Sequence, residues 1–142
     1  MENTQILDSK DITGKVFRDN QIGVGTYLGG PLAAGYFFAE NYRALGQPDK
    51  VATAWTVAII TTIVVFGSVM LLPYDVNIPS QLIPIVYTAA AYGLYHKHQK
   101  EGVTQHLAEG GQRQSWWLVV GVGLLSIAIS FGAVFGVALL IE

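Results

Sequence analysis

The chain has no cysteine, which excludes disulfides, thiolate metal sites, Fe–S clusters and lipid attachment through sulfur. Charge is also scarce. Asp, Glu, Lys and Arg make up 13% of the 142 residues, about half the share usual in soluble domains. The formal net charge of −2 leaves no clustered basic surface for a nucleic acid. A soluble domain needs charge along every surface helix, and here long stretches carry none. No Asp, Glu, Lys, Arg or His falls well inside these stretches. That argues against proton relays and ion-coupled pumping, which need ionisable groups at membrane depth. No nucleophile–base pair is visible, and the run GVGTYLGG has neither the lysine nor the preceding strand of a phosphate loop. The sequence therefore predicts a non-enzyme, with no catalytic residue, cofactor or metal site.

What the chain does have is apolar sequence in blocks: 51% hydrophobic residues and a mean hydropathy of +0.42. The pattern predicts an all-α integral membrane bundle of about four transmembrane helices, with the bilayer as solvent. Residues 1–20 read as a polar tail whose part from Ile6 to Phe17 is either a short interfacial helix or mobile, followed by a membrane domain over 21–142. The spans fall at about 21–39, 54–72, 81–96 and 116–141. The first is rich in glycine and carries Pro31. Nineteen residues reach ~28 Å, just enough to cross, but a re-entrant hairpin broken at Gly29-Gly30-Pro31 is the rival. The third span is short, with Pro84 in its first turn, where a missing N–H is tolerated.

Trp55, Tyr74, Trp116 and Trp117 stand at the ends of apolar runs and read as interface anchors, apolar rings with a polar edge for the headgroup layer. Four spans place both termini and the turn at 73–80 on one side and the two larger loops on the other. Arg43, Lys50, Lys97, Lys100 and Arg113 then oppose Lys10, Lys15 and Arg18. Five cations against three favour cytoplasmic loops and external termini.

Small residues recur at helical spacing: Gly25, Gly29 and Ala33 in one row, Gly30 and Ala34 beside them, and Ala128, Gly132 and Gly136 in the last span. Such rows let helices approach closely in lipid. Packing within one bundle is the simpler reading; an oligomerisation face or a pathway lining is the alternative. His96 and His98 are two apart, so they do not share a helix face. With Lys97 and Lys100 they read as anchors at an anionic membrane surface rather than as metal ligands. Tyr92 neighbours Thr88 and Tyr95 on the third helix, a stripe suited to interhelical hydrogen bonds or to lining a solute path.

The segment Gly29 to Tyr36, followed by Asn41, Tyr42 and Arg43 and then by Leu45 and Gly46, resembles the opening of a group of small uncharacterised bacterial multi-pass membrane proteins. The run IPSQLIPIVYTAAAYGL extends the resemblance to about a third of the chain. It implies a multi-pass architecture in the bacterial cytoplasmic (inner) membrane and transfers no catalytic residue. The expected function is that of an accessory subunit or partner-binding membrane component, as a homo-oligomer or within a larger complex. A small-solute or ion channel formed by oligomerisation is the alternative.

Overall fold

The computed structural model describes residues 14–142. Lys10 and the tail up to residue 13 lie outside the described residues, as does most of the segment expected from Ile6 to Phe17. The described residues hold five helices: α1 (Asp19–Ala44), α2 (Val51–Leu71), α3 (Leu82–His98), α4 (Lys100–Ala108) and α5 (Trp116–Ile141). Two short strands, β1 (Lys15–Val16) and β2 (Gln112–Arg113), pair in parallel. The all-α expectation holds.

The first apolar stretch does not run straight. At ~1.5 Å per residue, Phe17 and Asn41 would stand ~36 Å apart on a continuous helix. Instead the Phe17 N–H donates to Asn41 Oδ1 at 2.7 Å, and the Phe17 and Phe37 rings are 4.7 Å apart. The reversal occurs at Gly30, with φ 78° and ψ −169° inside an otherwise helical segment. That region of backbone space is open essentially to glycine alone. Pro31 then fixes the φ of the first residue of the returning arm. α1 is thus a hairpin of two arms, 19–29 and 31–44. Each arm is roughly 16–21 Å long, about half to two-thirds of a hydrocarbon core.

Small residues allow the arms to close. A Cβ at Gly25 would run into the Phe37 ring, and one at Gly29 would lie 2.7 Å from the Ala33 Cβ and 2.8 Å from Gly123. Gly35 presses on Ala58 of α2 in the same way. The hairpin is the hub: α2, α3 and α5 each pack against α1 and touch one another little. Its tip is buried at Gly29, Gly30 and Pro31. Because Pro31 has no N–H, it cannot serve the carbonyl four residues back. That carbonyl, on Tyr27, accepts a hydrogen bond from the Tyr87 hydroxyl of α3 at 3.2 Å.

The expectation of four spans is therefore corrected. Two helical segments are long and apolar enough to cross a membrane, Pro48–Leu71 and Trp116–Ile141. α3 has 17 residues, and α1 is folded back on itself. The expected sidedness changes too. Both ends of α1 lie at one end of the molecule, the cap end, with β1, β2 and α4. The turn at 72–81 and Glu142 lie at the far end, so residue 14 and Glu142 are at opposite ends of the molecule. In the supposed tail, residues 14–18 are neither helix nor loose chain, for Val16 and Phe17 are fully buried, and Asp19 and Asn20 already belong to α1.

Gly30 offers a clean test, because a Cβ there meets nothing within 4 Å, so only backbone strain opposes a side chain. Gly30→Ala is expected to destabilise by ~1–3 kcal/mol. Gly67→Ala, on helical backbone with equally open space, should be neutral or stabilising by up to ~1 kcal/mol. Thermal denaturation in detergent compares the two, and equal melting temperatures would contradict the assigned reversal.

Candidate functional site: a polar latch at the cap end

The two ends of the hairpin are held by side-chain amides with almost complete pairing. Asn41, fully buried, accepts from Phe17 N–H and donates through Nδ2 to the Phe17 carbonyl at 3.0 Å and to Gln99 Oε1 at 3.0 Å. Gln99, at the junction of α3 and α4 and equally buried, donates from Nε2 to the Phe38 carbonyl at 3.0 Å. Gln21 accepts from Arg18 N–H at 2.9 Å and donates to the Gln114 carbonyl at 2.6 Å. His106 Nε2 lies 2.5 Å from the Gly14 carbonyl. A carbonyl only accepts, so that nitrogen carries the proton. Three amides and one imidazole thus tie together the start and end of α1, the α3–α4 junction, α4 and the approach to α5. Beneath them Val16, Phe17, Ile22, Phe37, Tyr95, Val103 and Val119 form the apolar core.

Burial raises the pKa of the Tyr42 phenol at this end, and a hydrogen bond with Gln99 opposes the rise. Lys15, Arg18, Arg43, Lys50, Lys97, Lys100 and Arg113 all sit at the cap end, and they are every Lys and Arg among the described residues. The far end carries Asp75 and Glu142 and no cation. The division expected from four spans set five cations against three; with α1 folded back, the seven cations of the described residues share one end, while Lys10 lies outside those residues. Arg43 pairs with Glu40 one turn away, and Lys50 lies 5.7 Å from the Tyr42 ring centre.

The residues singled out in the sequence fall into two groups. Gly25, Gly29, Gly30, Ala33 and Ala34 are all buried, but in the hairpin: Gly25 and Ala33 belong to different arms. Ala128, Gly132 and Gly136 lie on α5 away from its buried residues Val119, Gly123, Ser126 and Ser130, and a Cβ at Gly132 or Gly136 would meet nothing within 4 Å. Trp55 packs edge-on to Tyr36 with ring centres 6.4 Å apart, while Tyr74 and Trp117 are almost wholly exposed and Trp116 less so. The three histidines do not converge. His106 serves the latch, His96 stacks on Tyr92 at 4.4 Å, and His98 is exposed. Among the described residues no three His, Asp or Glu side chains come together as a metal site would need. The Thr26 and Thr88 hydroxyls and His96 Nε2 are buried with no partner among the described residues.

Sequence reasoning missed the latch. Asn41 and Gln99 lie in segments that read as polar connections, and only the reversal at Gly30 brings Phe17 to Asn41. Asn41→Leu should cost about 3 kcal/mol or more, because it orphans a buried N–H and leaves the Gln99 amide short of its partner. Asn41→Asp keeps the acceptor for Phe17 N–H, but its carboxylate donates nothing and faces the Phe17 carbonyl and Gln99 Oε1. That variant should also be destabilised at neutral pH and regain stability in acid, where a protonated carboxyl restores one donor. Chemical denaturation in detergent ranks the variants; an unchanged Asn41→Leu protein would refute the latch. No protein family, characterised protein or solved structure is significantly similar to this chain.

Proposed function

We propose that the protein is a non-catalytic integral membrane protein of the bacterial cytoplasmic membrane that works by assembly, as an accessory subunit or a homo-oligomer. α2 and α5 have the length and hydropathy to cross. The end of α3 lies at the cap with the ends of α1, so α3 must return the chain from the far side as a short third crossing. The bilayer tolerates this by thinning and by the packing of α3 on α1. The hairpin then enters from the cap side and turns back near the middle of the membrane. Irregular backbone is tolerated there only where protein covers it, and the tip is buried. With every described cation at the cap, the positive-inside rule makes that end cytoplasmic. Trp116, Trp117 and Trp55 stand near the cap-side boundary and Tyr74 near the other.

The observation that carries the assembly reading is the position of Ala128, Gly132 and Gly136. A row of small residues in lipid supports close helix approach, yet a Cβ at Gly132 or Gly136 would meet nothing within 4 Å among the described residues. α5 also runs about 27 Å beyond the level of Gly123, where the hairpin tip rests, at ~1.5 Å per residue. In that reach Phe131 meets Phe66 with ring centres 6.3 Å apart, while Phe135, Leu139 and Leu140 are exposed.

The row predicts that Gly132→Leu dissociates a complex that survives mild detergent, as read by native mass spectrometry, while Gly67→Leu on α2 does not. A complex of unchanged mass in Gly132→Leu would contradict the assembly reading. A second reading, a small-solute path, is favoured by the broken helix and the unpartnered Thr26 hydroxyl near mid-membrane, features shared with transport sites. It requires solute flux or conductance in liposomes holding this protein alone, and silent liposomes with correctly inserted protein would refute it.

A further inference from the structure

We infer that the groove between α4 and the start of α1 binds the headgroup phosphate of an anionic phospholipid. The face of α4 formed by Lys100, Thr104 and Ala108 is a shared wall with a hollow on each side. The inner one, of about 350 Å³, is completed by Arg18, Asp19 and Tyr95. The outer one, of about 570 Å³, is completed by His96, Glu101 and Gln105. Arg18 and Lys100 are exposed, and neither is in an ion pair among the described residues. The Asp19 carboxylate is already engaged, one oxygen accepting from Asn20 N–H at 2.8 Å and the other from the Tyr92 hydroxyl at 3.3 Å. Glu101 stands in the outer hollow only.

The inner hollow therefore offers a guanidinium and an ammonium to an anion, with the Thr104 hydroxyl as a further donor. Arg holds phosphate oxygens through paired N–H groups and Lys as a point charge. Position selects a lipid over free phosphate. The groove lies where α1 and α3 leave the membrane, and an exposed strip of Tyr92, Val24 and Tyr27 runs from it toward the far end. Gly23, with only the Tyr92 ring near its open side at 3.9 Å, leaves room along that strip for an acyl chain.

The site rests on the membrane reading and is tested with the full chain in nanodiscs. Retained lipid is counted by native mass spectrometry against phosphatidylglycerol, phosphatidylcholine and millimolar inorganic phosphate. Phosphatidylglycerol should be retained over phosphatidylcholine, and inorganic phosphate should not displace it. Arg18→Gln with Lys100→Gln should weaken retention about 30-fold, the value of two cations at an anionic surface. Lys50→Gln with Arg113→Gln, which removes as much charge elsewhere on the cap, should leave retention unchanged. Ala108→Trp fills the groove with the cations in place and should also abolish retention, which decides the matter if the double variant misfolds. Equal retention of the two lipids, equal loss in both double variants, or displacement by phosphate overturns the site. A chain that does not insert overturns the membrane reading with it, whereas an inserted chain indifferent to phosphatidylglycerol overturns this inference alone.

Discussion

A helix cannot reverse without freeing backbone groups, and in an apolar surrounding each freed group costs several kcal/mol unless something else bonds it. α1 meets that constraint at Gly30 with three local devices. Gly30 supplies the positive φ. Pro31 has no N–H to leave orphaned, and the Tyr87 hydroxyl takes up the Tyr27 carbonyl that Pro31 cannot serve. Glycines at 25 and 29 then let the arms and α5 close over the tip. If the reversal is removed, Phe17 never reaches Asn41 and the amide latch has nothing to hold.

The reversal also sets the electrostatics. A straight first span would carry Lys15 and Arg18 to the face opposite Arg43. Folded back, α1 keeps all of them on one face with Lys97, Lys100 and Arg113. A thin charge asymmetry becomes complete among the described residues, and Arg18 and Lys100 come to line one groove. α2, α3 and α5 then have a common hub near the cap and little to pack on beyond it, which leaves the far half of α5 turned outward.

Much of this was legible in the residues, and what was not has a physical reason. Helix and apolar blocks could be read because hydropathy and the lack of charge are properties of composition and order. For α1, length was misleading: nineteen uncharged residues fit one crossing, and they fit two half-length arms equally well. The signal for the arms, Gly29-Gly30-Pro31, was present, but glycine and proline are also common in unbroken membrane helices. The small residues of α1 read as a close-packing row, yet their partners depend on which arm each belongs to. The latch could not be foreseen at all, since Asn41 and Gln99 are ordinary polar residues until the chain reversal sets them against buried backbone.

The hairpin itself is tested most directly by a disulfide. A Cβ built at Gly14 lies 2.8 Å from the Ala44 Cβ, whereas a straight helix between them would hold the two sites ~45 Å apart on opposite membrane faces. The chain has no native cysteine, so Gly14→Cys with Ala44→Cys gives an unambiguous readout. Rapid intramolecular cross-linking under mild oxidation in native membranes is the predicted result. Two free thiols, labelled separately from opposite faces, would contradict the account.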